Sequence, residues 1–155
     1  MSLRICEVTA DNWMEVASLS VNDHQKDFIE SNLFSLAQSK FEPHWKSVGL
    51  YDGERLVGYA MYGRDKTTRR VWLDRFMIDQ KYQGRGYASR FLSPLIKEIQ
   101  QHYHCDHIYL SIYPGNTKAR YLYEKFGFTL NGEKDEAGLV CGLVMELNVV
   151  RRSIE

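Results

Sequence analysis

Two places in the chain combine residue types and spacing suited to chemistry. The first is the run Tyr82-Gln83-Gly84-Arg85-Gly86-Tyr87-Ala88-Ser89-Arg90-Phe91, a glycine-rich turn between a strand-like and a helix-like segment. Glycine lets the backbone approach a ligand with no side chain in the way. The N–H groups of such a turn and of the first helical turn point outward together. At the positive end of a helix dipole they make a site for phosphate. Gln83, Gly84, Arg85, Gly86, Tyr87, Ala88 and Ser89 are therefore candidate contacts for a phosphate-bearing cofactor. The second place is Asp74, a carboxylate inside a run that otherwise reads as core strand.

The glycine turn does not fit two familiar phosphate sites. A dinucleotide fingerprint needs a third glycine where Ser89 stands, and an acid at the end of the next strand, which reads Ile112-Tyr113-Pro114. A P-loop needs Gly-Lys-Ser/Thr, and none follows. A purely structural turn would account for the glycine pair equally well.

The elements that must hold these residues can be read from periodicity. Strands are expected at Leu3–Val8, Val48–Tyr51, Arg55–Gly63, Val71–Ile78 and His107–Tyr113, with Asp52-Gly53 as a hairpin turn. A closing pair is expected at Phe128–Asn131 and Val140–Val149, around a polar loop from Glu133 to Gly138. Helices are expected at Thr9–Ser20, Gln25–Ser39, Tyr87–His102 and Asn116–Phe126, the last capped by Gly127. Pro94 argues for a kink or boundary in the third helix. Trp13, Trp45 and Trp72 read as core or pocket wall. The pattern implies an α/β fold, a mixed sheet with helices on both faces.

At 155 residues the chain reads as a single domain, 1–155. Lys plus Arg balances Asp plus Glu, 20 against 20, which argues against a general nucleic-acid or membrane binder. No apolar run approaches a membrane span, and the N-terminus has no signal-peptide core. Cys6, Cys105 and Cys141 form neither a disulfide framework nor a metal spacing, and the five histidines show no metal spacing either. No metal is expected, and a reducing cytoplasm fits. The apolar final strand could serve a homodimer interface.

Two motifs carry a family resemblance. Gln83-x-x-Gly86-x-Ala88 resembles the pyrophosphate-binding signature of the GNAT acetyltransferase superfamily. Asn116-x-x-Ala119-x-x-x-Tyr123-x-x-x-Gly127-Phe128 is similar to the superfamily's second motif. The order of elements also resembles that superfamily, which implies a mostly antiparallel twisted sheet. Gln25-x-x-Phe28-x-x-x-Asn32-x-x-Ser35-Leu36-Ala37 and Leu73–Asp79 resemble bacterial diamine and polyamine N-acetyltransferases of the spermidine/spermine type.

The resemblance implies acetyl-CoA as co-substrate and a small-molecule primary amine as acceptor. Phe76, Met77 and Ile78 would pair with the pantetheine arm like an added strand. The turn through Ser89 would hold the pyrophosphate, and Asn116 would lie in the cofactor site. Tyr123 would protonate the leaving thiolate; otherwise it is a core aromatic. Asp74 would be the base or the amine anchor; otherwise it is ion-paired with Arg75, Arg64 or Arg70. Asp23, Asp27 and Glu30, spaced by four and three, would share a helix face. Asp27 and Glu30 would then be outer contacts for a polycation, or simply solvated. Direct attack in a ternary complex is expected, since neither motif holds a cysteine. The alternatives are transfer to a protein or peptide amine or an aminoglycoside, and a non-catalytic CoA sensor.

Overall fold

The computed structural model of the protein describes residues 2–137 and 141–150. Gly138 and Val140, the predicted ends of the polar loop and of the last strand, lie outside them. The strands are β1 Leu3–Glu7, β2 Trp45–Asp52, β3 Arg55–Arg64, β4 Val71–Ile78, β5 His107–Ile112, β6 Thr129–Asp135 and β7 Gly142–Asn148. Among the described residues they form one seven-stranded sheet in the order β1-β2-β3-β4-β5-β7-β6. β4 and β5 are parallel, and the other neighbours are antiparallel.

Four helices cover the two faces among the described residues: α1 Trp13–Ser18, α2 Asn32–Phe41, α3 Tyr87–Tyr103 and α4 Thr117–Phe126. Val16 of α1 and Leu36 of α2 pack with Leu56, Tyr59, Met61 and Met77 on one face. On the other, Phe91, Leu92, Leu95, Ile96 and Ile99 of α3 and Tyr123 of α4 pack with Leu50, Ala60, Leu73, Ile108 and Leu110. The predicted α/β class and both-face layering are therefore what the chain adopts. Among the described residues no helix is long and apolar enough to cross a membrane.

α3 forms because its apolar residues recur at three and four, giving one buried stripe. It runs unbroken through Pro94, which is exposed. The proline leaves the carbonyl of Arg90 without its helical donor, and Arg90 is also exposed, so water can satisfy it. Phe91 sits fully buried in the centre of this stripe. Phe91→Ala is expected to cost about 3–5 kcal/mol, read as a lower midpoint in urea unfolding; a midpoint unchanged from wild type would contradict this packing.

The structure differs from the sequence reading at further places. The helix expected at Gln25–Ser39 is split into a 3-10 turn, Asp23–Gln25, and α2. Asn22 and Gln25 cap the turn reciprocally, and Ser31 restarts the chain as the N-cap of α2, accepting from the Phe34 N–H at 3.1 Å. Asp23, Asp27 and Glu30 therefore share no helix face. α2 also buries Asn32 and Ser35 while Leu33, Phe34 and Phe41 stand exposed. β6 runs on to Asp135, so Glu133–Asp135 is strand rather than loop; the register shifts between Leu130 and Lys134, at Gly132. Trp13 is exposed, whereas Trp45 and Trp72 line a cleft as expected. β7 lies inside the sheet with β5 and β6 on its two sides.

Candidate active site

The site follows from where the sheet comes apart. β4 and β5 pair only at Val71 with Ile108 and Trp72 with Tyr109. Beyond that point β4 continues from Leu73 to Ile78 and β5 from Leu110 to Ile112, without pairing to each other. On its other side β4 carries a bulge: Met61 faces Arg75 and Tyr62 faces Leu73, leaving Asp74 as the extra residue. A bulge bends the strand and increases its twist. The opening belongs to a cleft of about 1240 Å³ lined by Leu73 to Ile78 on one side and Leu110 to Tyr113 on the other. Phe28 and Tyr113 also line it, and their rings stack at 4.8 Å.

The glycine turn forms one wall. Gly84 and Gly86 have φ of 80° and 79°, the left-handed region that other residues occupy only with strain. A Cβ at Gly84 would meet nothing within 4 Å, and one at Gly86 only the Arg90 side chain at 4.0 Å. The glycines are thus needed for conformation and leave the turn bare to the cleft. Gly86 is the N-cap of α3 and supplies no capping side chain. The first N–H groups of α3, at Tyr87, Ala88 and Ser89, have no helical acceptor and can bind an anion.

The side chains around the turn mostly brace it. The Gln83 amide donates to Gln25 at 3.0 Å and to the Ile78 carbonyl at 2.9 Å, and accepts from Asn22 at 2.8 Å. Both of its hydrogens are used, so its side chain holds the turn against β4, leaving the main chain to meet a ligand. The Tyr87 hydroxyl donates to Asp52 at 2.5 Å, tying the turn to the β2–β3 hairpin. Arg85 is exposed, lies over the Tyr82 ring at 5.6 Å and is not on the cleft wall. Asn116 lines the cleft, and its side-chain oxygen caps α4 by accepting from the Ala119 N–H at 3.3 Å.

The other wall is carboxylate-rich. Arg75 forms ion pairs with both Asp74 and Glu30, and it donates to Gln38 at 2.9 Å. Of the three arginine partners weighed for Asp74, Arg75 is the one it has; Arg64 donates to the Tyr103 carbonyl and Arg70 pairs with Glu133. Burial pushes the Asp74 carboxyl above its usual range; Arg75 opposes that, while Asp135 and Glu30 add to it. Glu30 is thus brought to the cleft by a turn rather than by a helix face, whereas Asp27 is exposed and off the wall. Tyr123 reaches the cleft from α4, is 8% exposed, and packs edge-on to Phe128. Its hydroxyl has no hydrogen-bond partner among the described residues, and burial raises its pKa well above the ordinary tyrosine value. Glu42, Asp65 and Asp135 also line the cleft. Sequence reasoning passed over them because each sits in an otherwise ordinary polar stretch. Arg75 was visible only as a neighbour of Asp74. Among the described residues no group of His, Cys, Asp or Glu could hold a metal.

A sheet splayed beside a bare glycine turn at a helix start is the framework of one large class of transferases. The chain belongs to the acetyltransferase (GNAT) family, which it matches over residues 12–128. It is similar to the spermine/spermidine N(1)-acetyltransferase of Bacillus subtilis (strain 168), with 44% identity over 144 residues, spanning 89% of this chain and 95% of that protein. A solved structure of spermidine N-acetyltransferase from Vibrio cholerae, in complex with CoA and spermine, superposes with a TM-score of 0.75 at 19% identity, covering 94% of this chain and 95% of that one. The PaiA N-acetyltransferase from Thermoplasma acidophilum, in complex with coenzyme A, gives a TM-score of 0.66 at 16% identity over 96% of this chain and 99% of that one. At these identities the two structures speak for the fold.

Proposed function

We propose that the protein is a single-domain enzyme that transfers acetyl from acetyl-CoA to a primary amine of a polyamine such as spermidine or spermine. The observation that carries the acceptor is the charge of the β4 wall. Asp74 and Glu30 share one arginine, and Asp135, Glu42 and Asp65 line the same cleft. A flexible polycation is attracted to such a wall. The similarity to the Bacillus spermine/spermidine enzyme supports the same reading.

Acetyl-CoA fits the other features of the cleft. The bare N–H groups from Gly84 to Ser89 would hold its pyrophosphate, and Lys118 and Lys125 of α4 line the cleft as further cations. The β4 edge at Phe76, Met77 and Ile78 would receive the pantetheine arm where β5 has moved away; Gln83 already occupies the Ile78 carbonyl. When bound, the co-substrate supplies the thioester carbonyl that the amine attacks, with loss of the CoA thiolate. Asp74 would hold the ammonium and take up its first proton, directly or through water, and release it to solvent. Tyr123 would give its proton to the thiolate, and the second proton, shed by the nitrogen as the amide forms, would replace it through water. The three cysteines are free thiols, which agrees with a reducing cytoplasm.

Gly86→Val is expected to weaken acetyl-CoA binding by at least about tenfold, because it adds left-handed strain of about 1–2 kcal/mol and a branched side chain at the anion site. Calorimetry showing wild-type affinity would remove the turn from the cofactor site. The function itself is tested by thiol release from acetyl-CoA against spermidine, spermine, putrescine, an aminoglycoside and a basic peptide. Turnover restricted to the aminoglycoside or the peptide would overturn the acceptor. Tight CoA binding with no turnover on any amine would favour a sensor module.

A further inference from the structure

We propose that Arg75 is a positioning residue of the acceptor site: its guanidinium clamps Glu30 and Asp74 together on the cleft wall and supplies the positive charge that favours the carboxylate form of Asp74. This rests on the reading of Asp74 as the carboxylate that meets the amine.

The geometry begins with the bulge. On a regular strand, consecutive side chains point to opposite faces. The extra residue at Asp74 breaks that alternation, and Asp74 and Arg75 both line the cleft. Arg75 is only 8% exposed. One terminal nitrogen, Nη1, donates to the Asp74 carboxylate and to the Asp74 carbonyl at 3.1 Å. The other, Nη2, donates to the Glu30 carboxylate and to Gln38 Oε1 at 2.9 Å. A single guanidinium therefore joins β4 to α2 and to the segment that precedes it. A planar fork can bridge two carboxylates in this way, whereas a lysine offers one point charge.

The charges explain why such a clamp is needed. Two carboxylates against one guanidinium leave the cluster with one net negative charge, available to an incoming ammonium. Glu30 lies beside Asp74 from the segment before α2, Asp135 from β6, and the Tyr59 hydroxyl of β3 is near enough to feel both Asp74 and Arg75. Gln38 of α2 is neutral; its side-chain oxygen accepts from Arg75 and its amide donates to Glu42 at 3.3 Å. Burial and the two neighbouring acids all push Asp74 toward its protonated form; Arg75 is the opposing charge. Without it, two carboxylates would share a sparsely hydrated wall, and one would take up a proton. A protonated Asp74 neither holds a cation nor accepts a proton.

The test is the pH dependence of kcat/KM for spermine in wild type, Arg75→Gln, Arg75→Lys and the double variant Glu30→Gln/Arg75→Gln. In Arg75→Gln the acid limb should move up by at least about one unit. Activity relative to wild type should then be down at least about tenfold at pH 7 and recover toward pH 9. Arg75→Lys should shift the limb less. The double variant should move it back toward wild type, because Asp74 loses its like-charged neighbour along with the cation. CoA affinity should change by less than about twofold, since no Arg75 partner lies in the glycine turn. A limb in Arg75→Gln that coincides with wild type, or a loss equal at every pH, overturns the proposal. If Arg75→Gln fails to fold, Arg75→Lys decides: a limb that coincides with wild type there overturns the proposal. Asp74→Asn, run alongside, separates the two levels of inference. A crippled Asp74→Asn with unmoved limbs in the Arg75 variants removes only the clamp. An Asp74→Asn variant with wild-type turnover across pH removes the acceptor-site reading itself.

Discussion

Asp74→Asn is expected to lower kcat/KM for spermine or spermidine by at least about 10²-fold, at the lower end of what loss of a positioned acid or base costs. The substitution keeps the shape of the side chain and an oxygen that can accept from Arg75. It removes the negative charge, so Glu30 and Arg75 are left as a neutral pair and the wall loses its attraction for a cation. Both possible duties of Asp74 fail together, since an amide neither anchors an ammonium nor accepts its proton. They can be told apart by pH. A primary amine has a pKa of about 10.4, so raising pH delivers more of it already deprotonated. If Asp74 acts as base, high pH restores part of the rate in the variant. If it only anchors a charged amine, the loss stays in KM and high pH gives little back. CoA affinity should be unchanged, because Asp74 is bonded to Arg75 and to nothing in the glycine turn. Unaltered polyamine turnover from pH 6 to 9 would exclude both roles.

Tyr123→Phe should reduce kcat by at least about tenfold with acetyl-CoA affinity near wild type. The structure makes this an unusually clean substitution. The ring is held edge-on to Phe128 at 5.6 Å, a contact that phenylalanine keeps. The hydroxyl has no partner among the described residues, so removing it strands no buried donor or acceptor. The melting temperature should therefore not fall. Burial raises the pKa of the phenol, which keeps the proton in place until a strong base forms beside it. A thiolate formed beside the buried phenol would be made more basic by the same loss of water. Wild-type kcat with both good and poor amines would leave Tyr123 as packing alone.

What could be read from the chain itself was local. The turn at Gly84 and Gly86, the start of α3 at Tyr87 and the Gly127 cap each depend on backbone preferences of a few adjacent residues. The hairpin at Asp52-Gly53 and all eight residues of β4 are legible for the same reason. The candidates Gln83 to Ser89 came from that kind of signal, and Phe76, Met77, Ile78 and Asn116 from the family resemblance; all of them but Arg85 lie on one cleft.

The segment from Gln25 to Ser39 shows where local reading fails. Phe28, Ile29, Leu33 and Leu36 recur at helical spacing, but Phe28 stacks on Tyr113 across the cleft and Leu33 faces solvent. Their spacing suggested one continuous inward-facing stripe; part of it belongs to the site. Buried Asn32 is acceptable only because its amide donates to the Val16 carbonyl at 2.9 Å, a partner 16 residues away.

Tertiary structure alone decided the carboxylate wall of the cleft. The bulge at Asp74 is a matter of register between β3 and β4, the gap beside it a matter of where β5 stops pairing, and the Glu30–Arg75 clamp a contact across 45 positions. Each is a relation between segments whose own sequences are compatible with other partners. The chain by itself thus specified a bare glycine turn at a helix start, a candidate contact for a phosphate-bearing co-substrate, because such a turn is built from neighbours. How its carboxylates are charged and aimed was settled by folding, because burial and ion pairing exist only once distant residues meet.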